Sequence, residues 1–404
     1  MNDFRGTVRK PSTFLYTFLV WMIYPFLRIK YHLKGYKKEI KKIDGPAIIL
    51  CNHPSFRDFL FVGPLLYPTK INFVLGYSFY NIKKITKLVY KLGAFPKMQF
   101  QNDVGSMKNM KKVIDSKGVL GVFPVGLVSE CGEGGDVPLA TAKLLKWLNV
   151  DVYVAKTKGS YMCFPKWAKN KRKGKIDVTF SKLVSKEDLK NYETNVLQQL
   201  VEKMLAFNEY EDNKGRKYKG KKLAEGLENL TYVCPKCLKE YTIVSENNKI
   251  ICQHCGNEAL MDEYGHLHKV KEDDVIFETP FEWYHFERSL IAAKLRNDSF
   301  IIEDDAELYM PKDLYSPYSY VGSGHIVMKK DKLTYYGKVN DKDEVIELSL
   351  VGLPACAFNY GQRFEIQYHN TVYVFYPKNK QSVLKYSIAI RESYKQEVLE
   401  KRVC

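Results

Sequence analysis

Two stretches of this 404-residue chain carry side chains suited to proton transfer or metal binding. The first is Asn52-His53-Pro54-Ser55-Phe56-Arg57-Asp58, an H-x4-D spacing between an apolar run at 47–51 and a second apolar segment. An imidazole just before a helix start can be oriented by Asp58, leaving one ring nitrogen free to take a proton from a hydroxyl. Ser55 is the expected N-cap, with Asp58 three residues on, where an acid complements a helix N-terminus. The same residues also read as a capping box with a satisfied histidine beside it. His268 and Asp273 repeat the spacing with no strand before and no apolar helix after, so context must carry the distinction.

The second stretch is Cys234-Pro-Lys-Cys237 and Cys252-Gln-His-Cys255, two C-x2-C knuckles with 14 residues between them. Four thiolates in two tight knuckles can close a tetrahedron around Zn2+, normally a structural site, and the Tyr-Thr-Ile-Val and Lys-Ile-Ile runs between them predict the strands of a zinc ribbon. His254 is expected to face solvent. The chain has nine cysteines in all, and the odd total without a disulfide-like framework points to a reducing, cytoplasmic setting.

These residues need elements to position them. Apolar runs at 47–51, 70–75, 119–123 and 150–155 predict buried strands. Helical periodicity at 81–92, 104–117 and 137–148 alternates with them, and 186–211 predicts a closing helix. The alternation predicts an α/β domain, a mixed sheet flanked by helices, over 31–211. A polar, glycine-punctuated stretch over 212–230 is the expected linker to a zinc ribbon at 231–265. Short β-rich runs and a terminal helix, 381–400, follow within 280–404, with hairpin turns expected at Asp331-Lys332 and His369-Asn370. A helix is also expected at 282–288.

Charge divides the chain. Residues 1–230 hold 41 Lys/Arg against 20 Asp/Glu, whereas 231–404 hold 22 against 26. The basic half is expected to face something anionic, a membrane surface or nucleic acid. The net acidic second half, which holds the knuckles, argues against a ribbon-based nucleic-acid partner and favours an anionic membrane surface. Residues 12–27 lack charge, but 16 residues reach only about 24 Å, short of a ~30 Å bilayer core. With Trp21, Pro25 and flanking Arg5, Arg9, Lys10, Arg28 and Lys30, residues 1–30 predict a helix lying in the headgroup region, with a buried N-terminal helix or a full span as the alternatives. The aromatic-basic run 164–175 is expected to be a membrane- or phosphate-facing edge with Trp167 at the interface, or else a solvated loop. Glu130 and Glu133 are expected to be solvated loop acids, the alternative being acids that take part in the site.

His53 and Asp58 in NHPSFRD, with Phe123-Pro124-Val125-Gly126 some 70 residues later, resemble the glycerolipid (lysophosphatidate-type) acyltransferase family, whose hallmark is N-H-x4-D. The resemblance covers roughly 30–205 and extends to Gly93-Ala94-Phe95 and to the 150–155 strand leading to Gly159. It implies that His53 is a general base oriented by Asp58. An acceptor hydroxyl would then attack the thioester of an acyl-CoA or acyl-carrier protein directly, on a peripheral protein at the inner face of the membrane. It also implies a substrate-binding set of Asn52, Ser55, Arg57, Lys97, Phe123, Pro124 and Gly126 around a lysophospholipid-like acceptor. The chain departs from the family where F-P-E-G-T-R-S reads FPVGLVS. Val125 and Val128 replace the acid and the arginine, and Lys97 is the only cation in FPKMQ. A rewritten acceptor pocket is expected. A lipid-binding or tethering protein on a decayed acyltransferase fold is the alternative. Residues 318–400 are similar to a pleckstrin-homology-like (GRAM-type) domain.

Overall fold

The computed structural model describes residues 7–38, 40, 42–77, 83–297, 300–312, 316–369 and 371–403. Arg5 and the rest of 1–6, positions 81–82 of the 81–92 helix, Asn370 and Cys404 lie outside the described residues. The chain divides into two compact units, 1–166 with 172–219, and 167–171 with 220–404.

The first unit starts with helix α1 (Thr13–Lys30), capped by the Ser12 hydroxyl. Strands β1 (Lys34–Lys37) and β2 (Ala47–Cys51) follow, then α2 (Asp58–Leu65), β3 (Ile71–Gly76), α3 (Lys83–Lys91), β4 (Phe95–Lys97), α4 (Val104–Asp115) and β5 (Val119–Val122). Next come α5 (Ala140–Leu148), β6 (Asp151–Lys158), α6 (Ser160–Cys163), β7 (Asp177–Val184), α7 (Thr194–Leu205) and α8 (Glu209–Asp212). The strands form a seven-stranded sheet in the order β1-β7-β6-β2-β5-β3-β4. Every pairing is parallel except β6 with β7. All five β2 residues are buried, as a central strand covered on both faces requires. Ile48 and Leu50 pack with Leu120, Val122, Val152 and Val154 against Leu145 of α5 and Leu197 and Val201 of α7.

This is the mixed α/β sheet that the strand–helix alternation predicts. The long helix expected over 186–211 is instead α7, preceded by a 3-10 turn (Asp188–Lys190) and followed by α8, whose first turn the Asn208 side chain caps. No helix among the described residues is long and apolar enough to cross a membrane.

The second unit contains a four-stranded antiparallel sheet of β8 (Ile243–Glu246), β9 (Lys249–Cys252), β10 (Glu258–Met261) and β11 (Leu267–Lys269). Helix α9 (Pro280–Lys294) follows, with a capping box between Thr279 and Glu282. A seven-stranded antiparallel sheet comes next: β12 (Ile302–Pro311), β13 (Tyr318–Met328), β14 (Lys332–Val339), β15 (Lys342–Ser349), β16 (Ala357–Asn359), β17 (Arg363–Tyr368) and β18 (Thr371–Pro377). Helix α10 (Ser382–Val403) closes the chain, its Tyr386 ring stacked on Phe364. Within 212–230, Leu223, Ala224, Leu227 and Leu230 are buried. Trp167 is also buried, at 3% exposure, because 167–171 packs on the Gly226 turn: a Cβ on Gly226 would meet the Trp167 carbonyl at 2.1 Å. The expectation of Trp167 at a membrane interface therefore fails.

Candidate active site and cysteine cluster

His53 leaves the C-terminal end of β2, where ligand sites of open α/β sheets gather. Its Nδ1 lies 3.0 Å from Asp58 Oδ2. The carboxylate is held before it meets the ring. Oδ2 also accepts the Ser55 N–H at 2.9 Å, and Oδ1 accepts the Ser160 hydroxyl at 2.7 Å. Asp58 has no exposed surface, and burial raises its pKa against the pull of His53, Ser160 and the Ser55 N–H. An acid with both oxygens claimed in this way fixes the ring and favours the tautomer with hydrogen on Nδ1. Nε2 is then the proton acceptor, and the side chain keeps 15% of its exposure.

The local helix start differs from expectation. Asp58 is the first residue of α2, Arg57 occupies the N-cap position, and the helix has no side-chain cap. Ser55 instead turns its hydroxyl to the Arg57 N–H and gives its own N–H to Asp58. Asn52 is turned away from the imidazole. Its amide bonds both the N–H and the carbonyl of Thr157 on β6, pinning the end of β2.

The three motif stretches come together. The His53 ring lies on Phe123 with centroids 4.2 Å apart, and Phe123 stacks on Phe73 at 5.9 Å. Phe73 has room for its ring only because residue 121 is glycine: a Cβ there would meet Phe73 Cδ1 at 2.5 Å. Phe123 through Gly126 form a turn closed by the Gly126 N–H to the Phe123 carbonyl, and Gln99 donates to the Gly126 carbonyl. The FPKMQ and FPVG segments are thereby joined. Pro124 and Gly126 are half-buried in that turn, and Val125 packs against the sheet core. Lys97, on β4, is partly buried; its ammonium donates to the Met98 carbonyl, and desolvation lowers its pKa. The Arg57 guanidinium lies 4.3 Å from the centre of the Phe164 ring, and desolvation likewise lowers its pKa.

Ser160 and Glu209 are site residues that sequence reasoning missed. The Ser129 N–H donates to the His53 carbonyl, and the loop that follows bonds the Glu209 N–H through the Gly132 carbonyl. Glu209 is wholly buried, and both of its carboxylate oxygens accept the Gly159 N–H, at 2.9 and 3.0 Å, one residue before Ser160. Burial pushes its carboxyl up to about 8; the Gly159 N–H opposes the shift and the Asp58 charge adds to it. Only the glycine at 159, with φ of 85°, marks this corner in the sequence. Glu130, expected in solvent, is buried.

Geometry also separates the two H-x4-D stretches. His268 Nε2 bonds Asp262 Oδ2 at 2.8 Å on an exposed surface, while Asp273 pairs with Lys236. In the same unit the four knuckle cysteines converge. Cys234 and Cys255 sulfurs lie 3.6 Å apart and Cys237 and Cys252 sulfurs 3.8 Å apart, and all four ligand atoms fall within 4.8 Å of one another. A tetrahedron with metal–sulfur bonds of ~2.3 Å has edges of about 3.8 Å, so the donor set fits a metal of zinc's size. His254, in the second knuckle, is exposed.

Residues 28–146 match the family model described as Acyltransferase. The chain is similar to a 1-acyl-sn-glycerol-3-phosphate acyltransferase of Bacillus subtilis (strain 168), at 27% identity over 126 residues. That match covers 31% of this chain and 61% of the relative's length. A crystal structure of the 1-acyl-sn-glycerophosphate (LPA) acyltransferase from Thermotoga maritima is also similar, with a TM-score of 0.39 at 15% identity, over 47% of this chain and 78% of that one. Residues 28–146, within the first unit, are thus similar to acyltransferases, and the chain spans 61% of the length of the curated relative it matches.

Proposed function

We propose that this chain is a membrane-associated O-acyltransferase. It would move a fatty acyl group from an acyl-CoA or acyl-carrier-protein thioester to the hydroxyl of a lysophospholipid-like acceptor. The observation carrying this reading is the His53–Asp58 pair, with Asp58 fixed by Ser55 and Ser160 and one edge of His53 open. The acceptor hydroxyl gives its proton to Nε2 as its oxygen attacks the thioester carbonyl and the C–O bond forms. The tetrahedral intermediate collapses by breaking the C–S bond, and the leaving thiolate recovers the proton from the imidazolium that Asp58 has stabilised.

Phe123, Pro124 and Gly126 form the wall beside the ring. Arg57 and Lys97 offer positive charge for the anionic part of the acceptor, and Asn52 and Ser55 hold the turn that presents His53. With Val125 and Val128 in place of the family's acid and arginine, the preferred acceptor is a hydroxyl-bearing lipid other than lysophosphatidate. The membrane contact is α1, which exposes Phe14, Phe18, Trp21, Met22, Phe26 and Ile29 at helical intervals of three and four along one side. On the cysteine cluster we assign structural zinc, completing a zinc ribbon, followed by a lipid- or protein-binding PH-like domain.

Thiol release from acyl-CoA with a panel of lysolipid acceptors tests the reaction. His53→Ala and Asp58→Asn should each lower turnover by about 10²–10⁴-fold, the range for loss of a positioned general base. Turnover within twofold of the unaltered chain would overturn the assignment.

A further inference from the structure

Beside the lower end of α1 lies a groove of about 670 Å³ lined by Ile29, Lys30, His32, Lys173, Gly174, Lys175, Arg216, Lys217 and Lys219. It shares no residue with the His53–Asp58 site. Six of its nine lining residues carry fixed positive charge. Asp177 answers two of them, at 3.1 Å from Lys175 and 2.9 Å from Arg216.

The chain concentrates this charge by alternation. Lys173 and Lys219 form an antiparallel bridge and exchange both backbone hydrogen bonds, at 2.7 and 2.8 Å. Successive residues of an extended strand face opposite sides, so Lys173 and Lys175 share a face with Lys217 and Lys219. Gly174 and Tyr218 occupy the other face. The Tyr218 ring is buried so closely on Gly174 that a Cβ there would meet Cδ1 at 2.2 Å, and the Tyr218 hydroxyl bonds Asn213 at 2.8 Å. Packing on one face therefore holds four lysines together on the other. Like charges directly opposite in an antiparallel pair are destabilising, and an anion relieves them. Lys30 adds its ammonium from α1, 5.0 Å over the Phe26 ring.

We propose that this groove binds the anionic headgroup of a bilayer phospholipid while the exposed side of α1 lies among the acyl chains. The proposal rests on the membrane reading of α1 given above. A bilayer is the one partner that sets hydrocarbon directly beside a layer of phosphate. Here the apolar stripe ends at Ile29, which itself lines the groove, and Lys30 follows it. Six cations crowded at that junction suit a phosphate-bearing headgroup.

The test is sedimentation of the full chain with two kinds of vesicle, pure phosphatidylcholine and phosphatidylcholine with one third phosphatidylglycerol. The unaltered chain should bind the anionic vesicles at least about tenfold more tightly, with the gain lost at high salt. Lys173→Gln with Lys219→Gln should cut that gain at least fivefold and leave phosphatidylcholine binding in place; Lys173→Arg with Lys219→Arg should retain the gain. Trp21→Ser with Phe26→Ser should lower binding to both vesicles, and failure to do so would sink the α1 reading instead. An undiminished gain in the glutamine variant overturns the headgroup site. So does displacement from the anionic vesicles by millimolar inorganic phosphate, which would make the ligand a free anion.

Discussion

Two buried carboxyls, Asp58 and Glu209, stand on either side of the Gly159–Ser160 corner, and the second gives the protein a pH signature. An unfolded glutamate titrates near 4.3, whereas burial, opposed by the Gly159 N–H and aided by Asp58, carries folded Glu209 up to about 8. Between about pH 4.5 and 8 the folded chain therefore holds a proton that the unfolded chain has released. Stability falls as pH rises through that window, by at most about 4–5 kcal/mol in total. Glu209→Gln removes the titration and keeps an oxygen for the Gly159 N–H. Its melting temperature should vary less between pH 5 and 8 than that of the unaltered chain; parallel slopes in thermal melts would refute this. His53 and Asp58 were legible because an apolar strand precedes them and a helix follows. Ser160 and Glu209 were not, since their roles come from a loop that closes between residues 129 and 209, and no local pattern encodes that closure.

At the scale of elements, Gly174 is the weak point of the basic strand pair. A methyl group at 2.2 Å from the Tyr218 ring must displace that ring or the strand, so Gly174→Ala should destabilise the first unit by about 1–3 kcal/mol, the usual cost of overpacking. Lys173→Gln, on the open face, should stay within ~0.5 kcal/mol. Urea midpoints compare the two, and equal midpoints would show that the pair has slack. Strands β2, β3, β5 and β6 could be read from the sequence because burial on both faces leaves near-continuous apolar runs. β1 was hidden: all four of its residues, KGYK, are exposed at the sheet edge, so no hydrophobic pattern marks them. β7 was missed as well, behind the basic run that precedes it.

Across the whole molecule, each unit has a buried apolar core, and the second adds the cysteine cluster. The first has a continuous core under its sheet. In the second, the cysteine knuckles flank short strands, and Val233, next to Cys234, is latched to α9 by the Trp283 indole N–H at 2.9 Å and by Glu287 at 2.8 Å. Small modules of this kind draw folding energy from metal. The purified chain should carry about one zinc, by elemental analysis, and a strong chelator or Cys252→Ser should remove it and lower the melting temperature. A zinc-free chain with unchanged melting would exclude the assignment. The cysteine spacing announced this cluster plainly, because tight knuckles bring sulfurs together whatever surrounds them. The burial of Trp167 and Leu227 could not be foreseen: each has a charged neighbour, Lys166 or Glu228, within a polar stretch, and packing against residues distant in sequence covers them.

The paired H-x4-D stretches serve as an internal control on how motifs carry information. Both spell the same interval, yet in only one do the terminal residues touch. What separates them is a main-chain N–H, that of Ser55, which takes hold of the carboxylate within its own turn. A search keyed to letters finds both stretches. Of these two stretches, only His53–Asp58 also has its carboxylate bonded by the backbone between it and the histidine.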